Sequence, residues 1–166
     1  MTPKEFVNKY RKYAEQTEAK TGISAKFILA QSALETGWGK NAPGNMMFGV
    51  KAQRNTPDNK RQLVTTREVL SYPDDTKFPE IISVTKRSDG KYTYVVKDWF
   101  MKYESPEESF TDHANFFIRT PRYAKALEKR DHPYLFAAGV AKAGYATDPN
   151  YAETLKAVIK TVERNY

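Results

Sequence analysis

The 166-residue sequence contains no cysteine. That removes a disulfide framework, a thiolate metal site and a cysteine nucleophile together. Histidine is almost as scarce: His113 and His132 stand alone, and no His/carboxylate cluster has ligand spacing, so neither a metal nor another cofactor is expected. No apolar run approaches the roughly 18 residues of a spanning helix, and the opening MTPKEFVNKYRKYAEQ has no signal-peptide core. Membrane insertion is therefore not expected, and export would use another route or a leader outside this sequence. Basic runs are missing too. KRQ at 60–62, TKR at 85–87 and EKR at 128–130 are short and mixed with acids, whereas a nucleic-acid binder shows a clustered basic helix or an aromatic–basic motif.

What is present is a formal charge of +7, with 40% hydrophobic and 13% aromatic residues. The charge favours an anionic partner, since net charge governs encounter and non-specific binding more than fold. Nucleic acid, anionic membrane and bacterial wall polymer all have the required sign. The composition is globular, and a chain of this length forms one domain that buries roughly two-thirds of its unfolded surface. A monomer is expected.

Helix signals open the chain. Thr2-Pro3-Lys4-Glu5 is a capping box with proline in the first helical position, and Phe6, Tyr10, Tyr13, Ala14 and Thr17 follow at helical spacing up to Gly22. From Ser24 a second helix places Phe27, Ala30 and Leu34 on a core face, with Gln31, Ser32 and Glu35 on a neighbouring face that could line a cleft. Residues 40–60 read as loop. Between 61 and 103 β-branched and aromatic residues predominate, with a tight turn at Asp89-Gly90, which predicts a small sheet. Ser105-Pro106-Glu107-Glu108 repeats the capping-box pattern, and Phe110, Ala114 and Phe117 continue it as a helix. TPRYAKAL and HPYLFAAGVAKAG predict two more helices, and a last one starts at Asp148 as cap. The fold class is α+β: a mostly helical domain (about 1–60 and 104–166) with a small antiparallel β lobe (about 61–103) inserted between helices.

Within this pattern one acid stands out. AQSALETGWGKNAPGNMMFGVK (30–51) runs as a small-residue helix to Glu35 and then breaks at Gly37, Trp38 and Gly39. Unpaired carbonyls at a helix C-terminus disfavour a charged carboxylate, and desolvation by Trp38 or Phe48 would add to the effect. Both favour the protonated acid that a glycosidase uses to protonate a leaving oxygen; an ordinary exposed glutamate at a helix end is the alternative. A glycosidase commonly needs a second carboxyl group. Glu68, Asp74, Asp75, Glu80 and Asp98 lie in the β segment, and Glu68 falls within the strand-like VTTREVL. Trp38, Phe48, Tyr103 and Tyr145, in or beside turns, have the flat faces on which sugars stack, although packing is the commoner use of any one of the eleven tyrosines.

Five segments in order, AQSALETGWG with NMMFGVKA, TTREV, WFMKYESPEESFTDHANFF, RYAKAL and AGYATDPNYAETL, resemble glycoside hydrolase family 73, β-N-acetylglucosaminidases that cut peptidoglycan. The resemblance implies a lysozyme-like fold with its cleft between a helical and a β lobe, and a peptidoglycan hydrolase acting on glycan strands of the bacterial cell wall, in the periplasm or outside the cell. It implies Glu35 as catalytic acid, Glu68 as second carboxylate, and Tyr145 lining the cleft near the acid. Asn45 and Phe48 match an Asn-x-Phe-Gly segment. Endo-β-N-acetylglucosaminidase activity is the expected specificity. N-acetylmuramidase specificity and a catalytically idle glycan-binding module remain open, as does assistance by the substrate's own acetamido group.

Overall fold

The computed structural model describes residues 1–166. They form five helices and three strands: α1 (Pro3–Thr21), α2 (Ala25–Thr36), β1 (Arg61–Leu70), β2 (Glu80–Lys86), β3 (Tyr92–Met101), α3 (Pro106–Arg119), α4 (Pro133–Lys142) and α5 (Tyr151–Arg164). They group into two compact units, residues 1–48 with 103–166, and residues 49–102. The second unit begins ahead of the expected boundary at 61. Lys51 bridges to Phe100 on β3, and Ala52 N donates to Trp99 O at 3.0 Å, so the approach to β1 is already tied to the sheet.

In the helical unit, α1 starts at the complete capping box of Thr2 and Glu5 and stops at Gly22, whose left-handed φ of 76° closes the helix on Glu18 O. Its apolar stripe is Phe6, Val7, Tyr10 and Ala14, all buried. α2 departs from the one-sided reading. Gln31 and Ser32, placed by their spacing on a cleft face, are fully buried along with Phe27, Leu29, Ala30 and Ala33, so this helix is enclosed nearly all round.

Three local expectations are corrected. TPRYAKAL forms two 3-10 turns, Pro121–Tyr123 and Ala126–Lys129, and not an α-helix. A segment that short does not repay α-helix nucleation, and i→i+3 bonds such as Tyr123 N to Thr120 O serve its backbone. Asp148 is not the cap of α5. Asn150 holds that position, and Asp148 Oδ1 accepts from Asn150 N at 2.8 Å one step earlier. At α3 half of the predicted box forms: Ser105 accepts from Glu108 N, while the Glu108 carboxylate turns to Glu104 N.

In the second unit the strand order is β1-β3-β2, antiparallel throughout. β1 and β3 pair from Arg61↔Met101 to Leu70↔Tyr92. The β2–β3 hairpin turns at Asp89-Gly90, where Gly90 has φ 82° and Arg87 N donates to Lys91 O at 2.7 Å. The stretch between β1 and β2 is fastened by Tyr94, whose hydroxyl accepts from Asp74 N and donates to Asp75.

Phe117 is the aromatic centre of the helical unit. It is fully buried, with ring centroids of His113, Tyr123, Phe136 and Tyr145 at 4.8–5.7 Å. Removing it leaves a large cavity as well as losing transfer energy, so Phe117→Ala is expected to lower stability by about 3–5 kcal/mol, measured by chemical denaturation.

Candidate active site

Glu35 is the penultimate residue of α2. The helix ends sharply because Gly37, with φ 59°, donates to Ala33 O, Trp38 N donates to the same carbonyl at 2.8 Å, and Asn41 N donates to Thr36 O at 3.0 Å. Thr36 Oγ1 completes the stop, donating to Ser32 O and accepting from Gly39 N. Trp38 is itself left-handed, with φ 57°. That conformation costs a side-chain-bearing residue roughly 1–2 kcal/mol. The edge-on packing of Trp38 against Phe6, at 5.6 Å and 88°, helps to hold it there. The backbone that carries Glu35 is thus held at a fixed point.

Glu35 keeps solvent contact as a residue, yet protein around the carboxyl withholds water from it and raises its pKa. Burial is the operative cause, which brings Glu35 closer to the protonated state a general acid needs. Two phenols feel its charge. Burial first, then Glu35, hold Tyr145 protonated well above the ordinary tyrosine range. Tyr151 is pushed up to about 12 by burial, with the Gln31 hydrogen bond opposing and Glu35 adding to the shift. The Tyr145 and Tyr151 rings lie 5.6 Å apart.

Behind them runs a buried polar chain: Gln31 Nε2 donates to Tyr151 Oη at 3.0 Å, and Gln31 Oε1 lies 2.8 Å from His113 Nε2. His113 stacks on Phe48 at 3.6 Å and 15°. Burial, and after it the Arg119 charge, pull its pKa down to about 3, so this histidine is neutral.

The remaining sequence candidates divide by burial. Phe48 is buried and supports His113 from behind. Tyr103 is also buried, and its hydroxyl donates to Asp112 Oδ2 at 2.6 Å. Asn45 donates from Nδ2 to Tyr103 O at 3.0 Å. Phe48 and Tyr103 are thus buried, while Asn45, Trp38 and Tyr145 keep partial exposure.

In the other unit Glu68 lies half-buried on β1. Lys51 Nζ reaches Glu68 Oε1 at 2.7 Å and Asp98 Oδ2 at 3.3 Å. Burial opposes the lysine's charge, but the bonds to Glu68 and then Asp98 outweigh it and raise the lysine pKa.

Sequence reading put Gln31 on a face that could line a cleft, without its buried partners, and did not single out Tyr151, His113 or Lys51. The available signal was a glutamine four residues before the acid on an otherwise apolar helix. The partners on α3 and α5 come from distant sequence, and no local pattern announces them.

Residues 11–164 match the Glucosaminidase family model, described as mannosyl-glycoprotein endo-beta-N-acetylglucosaminidase. The peptidoglycan hydrolase FlgJ of Vibrio parahaemolyticus is 34% identical over 98% of this chain and 48% of its own length. The exo-glucosaminidase LytG of Bacillus subtilis is 27% identical over 93% of this chain and 50% of its own. The chain therefore spans about half the length of these curated relatives. The solved glycoside hydrolase domain of Salmonella typhimurium FlgJ superimposes with a TM-score of 0.73 at 29% identity, covering 99% of this chain and 90% of that one. The Sphingomonas sp. A1 peptidoglycan hydrolase gives 0.65 at 29%, covering 98% and 95%. The helical unit with its small antiparallel sheet unit is the α+β lysozyme-like arrangement of these domains.

A carboxyl whose pKa is raised on folding favours the folded state while protonated. That advantage is lost as pH rises from the unfolded value, near 4.5, through the higher folded one. Glu35→Gln, which cannot ionise, is therefore expected to match wild type in Tm at pH 3 and exceed it increasingly as pH rises to 7. Thermal melts across that range measure it.

Proposed function

The chain belongs to the glucosaminidase family, and from that premise we propose that it hydrolyses β-1,4 glycosidic bonds in the glycan strands of peptidoglycan, as an endo-β-N-acetylglucosaminidase acting at the bacterial cell wall, in the periplasm or outside the cell. The observation that carries the reading is Glu35. It is a carboxyl at a helix end, with its pKa raised by desolvation and two phenols, Tyr145 and Tyr151, within reach of its charge.

Protonated Glu35 gives its proton to the bridging oxygen as the bond from that oxygen to the anomeric carbon breaks. The leaving sugar departs as an alcohol, and positive charge develops on the ring left behind. Tyr145 offers its hydroxyl to the acetamido group beside that charge, and Trp38 offers a flat face to a neighbouring sugar. Asn45, Phe48 and Tyr103 act indirectly, through their contacts with one another and with His113. Glu68 is the second carboxylate. Held by Lys51, it either takes a proton from attacking water or supports the acetamido oxygen as internal nucleophile. Water then completes hydrolysis, and Glu35 regains its proton.

The net charge of +7 assists approach to a polymer bearing carboxylates and phosphates. Sedimentation with purified walls is expected to weaken as salt rises from about 0.05 to 0.5 M, where screening shortens to a few ångströms. Salt-independent sedimentation would remove charge from the account.

The decisive experiment is digestion of purified peptidoglycan, with new reducing ends identified by mass spectrometry after borohydride reduction. Wild type is expected to release fragments reduced at N-acetylglucosamine, and Glu35→Gln to be slower by about 100- to 10,000-fold. Fragments reduced at N-acetylmuramic acid would make it a muramidase, and pelleting without any release would make it a binding module. Glu68→Gln separates the second-step options: a comparable loss marks a protein base, and substantial retained activity marks the acetamido group.

A further inference from the structure

Gln31 and Glu35 lie one helical turn apart on α2, so their side chains leave the same face. Gln31 is fully buried and is gripped from two other helices. An amide oxygen only accepts hydrogen bonds, so the 2.8 Å contact with Gln31 Oε1 requires the proton to sit on His113 Nε2. The Gln31 amide N–H is donated to the Tyr151 oxygen, which leaves the Tyr151 O–H free to donate onward. The chain therefore has a direction, from imidazole through amide to a phenolic proton. Its origin is immobile, because His113 is sandwiched between Phe48 at 3.6 Å and Phe116 at 5.9 Å. A buried network of this kind restricts the direction of its side chains. Tyr123 adds a second observation: its buried hydroxyl has no hydrogen-bond partner, and it acts electrostatically on both Tyr145 and Tyr151. A buried hydroxyl left without a protein partner is one that a bridging water serves.

We infer that Tyr151 is a positioning residue for Glu35: the His113–Gln31–Tyr151 chain holds the Tyr151 hydroxyl beside the face of α2 from which Glu35 projects one turn further on, where one water joins the Tyr151 O–H to the carboxyl. There it stabilises the carboxylate that remains once Glu35 has given up its proton; Tyr151 keeps its own. The inference rests on Glu35 being the acid. The titratable groups facing Glu35 are Tyr145 from the loop before α5 and Tyr151 from α5, with Tyr123 from the 3-10 turn and His113 from α3 behind them.

The test compares wild type with Tyr151→Phe, which removes one oxygen and is checked for folding by thermal melt. The Glu35 carboxyl is followed by 13C NMR titration, its signal assigned by its disappearance in Glu35→Gln. Losing a donor to the carboxylate should move the Tyr151→Phe titration about half to one pH unit higher, a three- to tenfold change in acidity. On peptidoglycan, kcat should fall about tenfold with KM unchanged. Gln31→Met should act in the same direction and add nothing in a Tyr151→Phe background; if Gln31→Met fails to fold, the single phenylalanine variant decides. An unchanged Glu35 titration in folded Tyr151→Phe overturns the inference. Should wild type cut no glycan, the functional reading fails, and the titration still decides the role of Tyr151.

Discussion

The burial of α2 on nearly every side is the constraint on which the helical unit depends. A helix apolar all round must be wrapped by its neighbours, and α1, α4 and α5 supply that wrapping. Two consequences follow. Polar groups on α2 must find partners inside the protein, as Gln31 does with His113 and Tyr151. The helix also meets water near its C-terminal end, so the acid stands at the border between the dry interior and solvent. Glu35 needs no neighbouring charge to have its pKa raised, because its position supplies the desolvation.

The two carboxylates live in different environments. Protein around Glu35 withholds water from its carboxyl and raises its pKa, with no ion pair to oppose the shift. Glu68 sits on a strand beside Lys51, which it shares with Asp98. One is placed by the end of a helix and the other by a strand of a small sheet.

Much of this was legible in the sequence because local chemistry specified it. The Thr2–Glu5 box, the Gly22 and Gly37 stops, the Asp89-Gly90 turn and the helical spacing of α3 and α5 are decided within a few residues. The position of Glu35 at the end of α2 belongs to the same class. What escaped was decided over long separations. Gln31 and Ser32 read as cleft-facing because polarity suggests exposure, and partners on other helices reversed that. RYAKAL reads as helix by composition, but burial of Tyr123 against Phe117 takes up the segment as turns. The Lys51–Glu68–Asp98 group joins three segments and has no signature in any of them.

Where the second unit leaves and rejoins the first, the chain is stitched to itself: Tyr103 N donates to Gly44 O at 2.9 Å, and the Asn45 side chain returns a bond to Tyr103 O. Both strands of this stitch belong to the helical unit. The cost of closing a loop grows only slowly with its length, so whatever lies between the two anchored ends can lengthen, shorten or be exchanged with little penalty to the helices. The arrangement uncouples the helix that carries Glu35 from the length and content of the segment inserted after it.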